Sequence, residues 1–395
     1  MNRNGKHPIL PSTGATRIVG SAILIAATAA CSSSNHSSSD PSTTGATGTP
    51  TGTGSTGAAG STGAGGSGSS SDCDHVVVPS SEVGFLDPVA LAAEAGKAYA
   101  LFDDDTDRVV RVTEGGKLQE IARAPNEQTF DLNSSNLLVD ASGYFFDVYQ
   151  GGKKVLYGVP RQGGAGAAIA PFTDDKELVE PPFVGDATSI YLVMKGASGK
   201  VIARVPRMAA AASSPVVLTD YTAFYNGLTA VAVNDAGLYA VSTATTEYIA
   251  REFPKDPATP PKSSSSASFV TPMCSTFAVP PRVVPGADGL YLGCAVGDGS
   301  EDAVFRLPPS QQWPADDTTS TTLAAFAQGK LDSRSFVVAG SAVYFANEEQ
   351  GAVFKVASPG GAPTQMLRAY GVEHMASDGT TLFVQSSCGI QSVPL

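Results

Sequence analysis

Seven copies of one short pattern run from Tyr99 to the C-terminus, and no other feature limits the possible folds as tightly. A triplet centred on an aromatic residue recurs as Ala98-Tyr99-Ala100, Gly143-Tyr144-Phe145, Ile190-Tyr191-Leu192, Leu238-Tyr239-Ala240, Leu290-Tyr291-Leu292, Val343-Tyr344-Phe345 and Leu382-Phe383-Val384. The central aromatics lie 45, 47, 48, 52, 53 and 39 residues apart. After each comes a short polar stretch and a second alternating run, such as Val110-Arg111-Val112, Ala203-Arg204-Val205-Pro206 or Phe354-Lys355-Val356. Alternation is the mark of strands, whose successive side chains point to opposite faces. A period of about 40–50 residues with several short strands per unit defines a β-propeller. The expected fold class is therefore all-β: a seven-bladed propeller over residues 73–395.

The second unit parses into an inner strand from Asn136 to Asp140, then Tyr144 to Val148, Val155 to Pro160 and an outer strand from Ala167 to Pro171. Between first and second strands the chain favours Asp, Asn, Ser and Gly, as in Asp140-Ala141-Ser142-Gly143, Asn234-Asp235-Ala236-Gly237 and Asp378-Gly379. These residues suit tight hairpins. Third strands end at Pro160, Pro206, Pro308 and Pro394, because proline cannot donate to a ladder. The Asp-x-x-Gly-x-Tyr turn followed by a Val-x-Arg-Val-Pro strand resembles the propellers of low-density-lipoprotein-receptor YWTD domains, the TolB C-terminal domain and NHL-type proteins. The YWTD tetrad itself is absent, and the resemblance implies architecture rather than activity. The seventh unit stops without an outer strand, so His75 to Val78 is expected to supply it by pairing with Ile390 to Val393, closing the ring.

The first 31 residues read as an export signal: Arg3, Lys6 and Arg17 precede the apolar run Ile18 to Ala30, and Ala29-Ala30 leads into Cys31. The run is too short to span a bilayer. Small residues before a cysteine resemble a bacterial lipobox, with Thr28 where that motif usually has Leu, so Cys31 is the expected lipidation site. Residues 32–72 are almost entirely Ser, Gly, Thr and Ala. They are expected to form a flexible linker with an average reach of about 35 Å. The chain carries a formal net charge of −12, which argues against a nucleic-acid partner, since binding phosphates needs a basic surface.

Four cysteines remain for the domain: Cys73, Cys274, Cys294 and Cys388. An even number suits an oxidising compartment. The blade parse puts Cys274 and Cys294 on one face of unit five, which leaves Cys73 for Cys388. That second pair meets an obstacle: an extended strand would hold them about 13 Å apart. Asp103, Asp105, Asp107 and Glu114 match positions 1, 3, 5 and 12 of a calcium loop. Arg108 stands where that loop needs Gly, and the alternative is a solvated acidic hairpin tip. Arg111, Arg204, Arg251, Arg306 and Lys355 fall at what read as equivalent third-strand positions, expected to snorkel between blades. The repeated aromatics are expected in the core between blades. Trp313 is a candidate partner anchor within the insertion Pro308 to Pro314, with packing beneath the loop as the alternative.

No Gly-x-Ser-x-Gly elbow, phosphate loop or paired-histidine metal motif occurs, so no catalytic residue and no cofactor is assigned apart from the candidate calcium loop. The expectation is a monomeric, lipid-anchored binding or scaffolding protein of a bacterial cell envelope, at the outer membrane or cell surface, presenting one propeller face to a protein or glycan. The alternatives are an extracytoplasmic propeller lyase or hydrolase with its site at the channel mouth, and an outer-membrane assembly factor.

Overall fold

Alternating apolar residues around each repeat aromatic form four antiparallel strands per unit in the computed structural model, which describes residues 73–84, 88–127, 135–171, 181–195, 200–207, 214–220, 228–244, 247–259, 268–271, 274, 282–296, 301–309, 320–327, 336–358 and 360–395. The expected signal with Cys31, the linker 32–72 and Trp313 lie outside these residues.

From the centre outward, blade one comprises β2 (Ala90–Glu94), β3 (Lys97–Asp104), β4 (Asp107–Glu114) and β5 (Lys117–Pro125). Blade two comprises β6 (Leu137–Val139), β7 (Gly143–Gln150), β8 (Lys153–Pro160) and β9 (Ala167–Pro171). Blade three is β10 (Phe183–Gly185) to β13 (Val216–Asp220), and blade four is β14 (Leu228–Val233) to β17 (Ser268–Thr271). Blade five is β18 (Arg282–Gly286) to β21 (Thr321–Ala327), and blade six is β22 (Phe336–Ala339) to β25 (Thr364–Arg368). Blade seven joins β26 (His374–Ser377), β27 (Thr381–Ser386) and β28 (Gly389–Pro394) to β1 (Val76–Pro79), which arrives from the other end of the chain.

Closure follows the expected pairing, with Val76 opposite Gln391, Val78 opposite Ile390 and Pro79 opposite Gly389. The strand starts one residue later than expected because His75 adopts a left-handed φ of 55°. That turn also removes the obstacle to the second disulfide. Residues 73–75 fold back along the sheet, where buried Gln391 donates from Nε2 to the Asp74 carbonyl at 2.6 Å. Cys73 thereby reaches Cys388, with Cα atoms 5.9 Å apart. In blade five Cys274 is joined to Cys294, Cα atoms 5.6 Å apart. The short helix α1 (Ser80–Val83) follows β1 and buries Val83 with Phe102, Phe383 and Ile390.

Among the described residues the core is divided into seven apolar clusters, one at each blade boundary. Tyr99, Tyr191, Tyr239, Tyr291, Tyr344 and Phe383 each pack toward the following blade and are at most 5% exposed. Burial of one such side chain contributes about 1.5–3 kcal/mol. Blade two corrects the sequence alignment. Tyr144 faces back toward Tyr99, ring centroids 6.0 Å apart, while Phe145 takes the repeat position in the cluster between blades two and three. A slip of one residue exchanges the two faces of a strand.

Removing a bridge should lower stability measurably. Replacing Cys274 and Cys294 by Ser should cost on the order of 3 kcal/mol in denaturant unfolding, as expected for a closed loop of about 20 residues. A midpoint unchanged from the parent would show that the bridge adds no constraint. Non-reducing peptide mapping should return Cys73 linked to Cys388 as well.

Candidate functional site

The two ends of the propeller differ in chemistry. At the end where first strands turn into second strands, the turn residue Asp or Asn accepts backbone N–H groups two and three positions on. Asp186 accepts from Thr188 and Ser189, both at 3.0 Å, and Asn234 accepts from Ala236 and Gly237. The same side chain then reaches into the next blade. Asp140 pairs with Arg207 at 2.6 Å, Asp186 with Lys255 at 2.9 Å, and Asp288 accepts from the Ser358 hydroxyl at 2.8 Å. Glu94 pairs with Arg161, and Asp378 accepts from the Gly96 amide across the closing boundary. Hydroxyl groups of Tyr191 and Tyr291 donate to Asp186 and Asp288. Burial pushes Tyr291 up to about 12, helped by the Asp288 carboxylate it donates to. These carboxylates are spent on holding blades together.

At the opposite end, the boundary of blades one and two buries an ionic cluster. Arg108, fully buried, donates to Asp103 at 2.8 Å and to Asp147 at 2.7 Å, and Lys154 lies 3.1 Å from Asp147. Burial works against ionisation of Asp147, but the Arg108 and Lys154 charges outweigh it and hold its carboxyl below the usual range. Asp103 is thus committed to Arg108, while Asp107 pairs with Arg123 and Glu114 with Lys97.

That arrangement corrects the calcium loop. Asp107 and Glu114 are the two ends of β4, about 23 Å apart for an eight-residue strand. Among the described residues no group of three His, Cys, Asp or Glu gathers in metal-binding proximity. The five cationic positions also divide. Arg204, Arg306 and Lys355 stand opposite Tyr191, Tyr291 and Tyr344, whereas Arg111 and Arg251 stand opposite Ala100 and Ala240 and so occupy the other face. Hairpin length fixes which face results.

The central channel was not marked by any motif. A cavity of about 300 Å³ is lined by Val89, Asn136, Pro182, Arg282, Val283, His374 and neighbouring inner-strand residues. Register places three polar residues at one height. Asn136, Arg282 and His374 each lie two residues before the partner of a repeat aromatic, Leu138 opposite Phe145, Val284 opposite Tyr291 and Ala376 opposite Phe383. Asn136 donates to the Phe183 carbonyl of blade three at 2.7 Å, and its backbone N–H donates to Asp147. Arg282 stacks over Phe336 of blade six at 5.5 Å. The signal for this ring was present, a polar residue heading an apolar inner strand. Aligning blade two on Tyr144 rather than Phe145 put Leu137 at that height and hid it.

Tyr370 lies on the same face, in the crossing from β25 to β26. It is 48% exposed, its ring sits over Gly351, and its carbonyl accepts from the amide and hydroxyl of Ser387 in the closing blade. Gly351 has φ 57°, and a Cβ there would run into the Tyr370 ring.

No protein-family model matches the chain, and no curated protein matches it. Solved structures share the fold. A puromycin-hydrolysing peptidase of Mycobacterium tuberculosis is 11% identical with a TM-score of 0.51, over 82% of this chain and 53% of that one. Prolyl endopeptidases give 11% identity and a TM-score of 0.48, over 81% of this chain and 52% of theirs. A structure of the nidogen/laminin complex gives 13% identity and a TM-score of 0.38, over 62% and 81%. The chain spans about half the length of the two peptidases, and at 11% identity the likeness to the first shows the fold alone. The two disulfides indicate an extracytoplasmic location.

Acid should loosen the closing boundary. Burial alone would raise Asp378, but the amides of Gly96, Thr380 and Thr381 outweigh it and bring its carboxyl down to about 2. A depressed folded value means that the stabilisation is present above about pH 4, the unfolded range, and is lost as pH falls toward 2. Asp378→Asn should therefore flatten the loss of thermal stability between pH 4 and pH 2, while an unchanged pH profile would contradict the assignment. At neutral pH, Asp147→Ala should destabilise by about 3–5 kcal/mol, because buried Arg108 would lose one of its two carboxylates and buried Lys154 the carboxylate it lies against.

Proposed function

We propose that the protein is an exported, membrane-tethered binding lipoprotein that presents the face carrying the channel mouth to a protein or glycan partner outside the cytoplasm. The observation that carries this reading is the exposed Tyr370 on the face toward which Asn136, Arg282 and His374 also lie. Tyrosine offers large contact area with little conformational entropy to lose, and exposed aromatics recur as binding anchors. Most carboxylates of the opposite end are engaged in bonds between blades. The leader, the cysteine at its end and the Ser/Gly/Thr-rich linker support tethering through lipid on Cys31. The glycoside-hydrolase reading is the weaker one, since the described lining residues include no pair of carboxylates; His374 is a described lining group with acid–base chemistry.

Two measurements test the reading. Cys31→Ala should move the protein from the membrane fraction to the soluble envelope fraction, and unchanged partition would reject lipid anchoring. Cross-linking of the full chain in intact cells should capture a partner that Tyr370→Glu loses and that Asp235→Arg, at the opposite end, retains. Loss with the second variant and retention with the first would place binding on the other face.

A further inference from the structure

We propose that the corner of the channel-mouth face where blades six and seven meet, centred on Tyr370, takes a cationic side chain of a partner protein, an arginine or lysine laid over the tyrosine ring. The inference rests on the binding reading above and selects its protein branch.

Backbone contacts hold the tyrosine in place. Its carbonyl accepts from the amide and the hydroxyl of Ser387 in blade seven at 2.9 and 2.8 Å, and the Ala369 amide just before it donates to the Gly351 carbonyl of blade six at 2.9 Å. The ring packs on Gly351 and is still 48% exposed. An aromatic side chain fixed from two blades loses little freedom when a partner arrives. The face of such a ring carries negative potential and attracts a cation.

Charge decides what covers it. Glu348 and Glu349 stand in the turn that ends at Gly351, whose amide donates to the Glu348 carbonyl. Glu373 lies three residues beyond Tyr370. Asp74 is brought to the same boundary by Gln391, whose side-chain amide donates to the carbonyls of Asp74 and Arg368. All four acidic residues are exposed, and among the described residues none of them is in a salt bridge. They share the corner with a single exposed arginine, Arg368. At the turn end, by contrast, Glu94, Asp140 and Asp186 already have basic partners. Buried Gln385 donates from Nε2 to the Glu373 carboxylate at 3.0 Å, and its Oε1 has no hydrogen-bond partner among the described residues. An unmet acceptor beside an exposed carboxylate suits a group that only donates, which a guanidinium or an ammonium is. A neutral glycan offers nothing for these carboxylates to attract, and an acidic one would be repelled.

Titration calorimetry of the full-length protein at low salt tests this with three probes: the capped peptide Gly-Arg-Gly-Arg-Gly-Arg-Gly, the same peptide with citrulline in place of arginine, and cellohexaose. The arginine peptide should bind about tenfold more tightly than either of the others and weaken as salt screens the charges. Tyr370→Ala should weaken it about three- to fivefold, and Tyr370→Phe should leave it unchanged. Glu348→Gln combined with Glu349→Gln should weaken it as well. No binding of the arginine peptide at millimolar concentration, equal binding of the citrulline peptide, or a folded Tyr370→Ala variant that binds as the parent does would each overturn the proposal. Cellohexaose binding more tightly than the arginine peptide would also overturn it, in favour of a glycan. If Tyr370→Ala fails to fold, the glutamate double variant and the ranking of the probes still decide. Capture of a Tyr370-dependent partner in cells without arginine-peptide binding would overturn this inference alone, whereas failure of both would remove the binding reading as well.

Discussion

A ring of sheets has no free end only if its last blade is completed by its first strand, and every other feature of this propeller depends on that one pairing. β1 lies against β28, and fully buried Gln391 holds the join from within: its side chain donates to the carbonyls of Asp74 and Arg368 and accepts from the Ser386 hydroxyl. Without this pairing the apolar cluster of Val78, Ala98, Ala100, Phe102, Phe383 and Ile390 would lose one wall. Blades one and seven would then present exposed sheet faces to water. Because seven small clusters take the place of one central core, closure makes their stabilities interdependent.

The two ends of the ring solve the problem of holding blades together in different ways. At the turn end, one carboxylate orders its own hairpin and clasps the neighbouring blade. The local bonds make the geometry for the distant one, so little extra ordering is required. At the channel-mouth end, the deeply buried Arg108–Asp147–Lys154 cluster joins blades one and two, while the two disulfides each lock a single blade, five and seven. A face secured from beneath in this way can carry variable crossings and still keep Arg282, His374 and Asn136 at one height.

The repeat made the architecture legible because strand alternation, hairpin residues and proline stops are all local signals. Blade count, the order of strands and the borrowing of an outer strand from the N-terminus could be read from spacing alone. What escaped depended on single-residue register. Tyr144 and Phe145 are adjacent aromatics, and only pairing with Leu138 shows that Phe145 holds the repeat position. That slip moved Asn136 out of line with Arg282 and His374. The reach of Asp140 or Asp186 into the next blade was likewise unreadable, since a hairpin aspartate looks the same in sequence whether or not a basic residue waits some 67–69 positions later. The calcium spacing of Asp103 to Glu114 failed for a related reason: ligand spacing in sequence assumes a loop, and Asp107 to Glu114 is a straight strand.

The bridge between Cys73 and Cys388 has a mechanical meaning. Any pull transmitted along the chain from the N-terminal side arrives first at Cys73. If that residue were held by hydrogen bonds alone, tension would act on β1 as on the end of a zipper, opening its bonds to β28 one after another. The disulfide diverts the force into the hairpin between β27 and β28, two strands that sit inside the sheet with partners on both sides. The four-residue strand that closes the ring is shielded from load, so a pull from the N-terminal side would not unwind the domain from its closing strand.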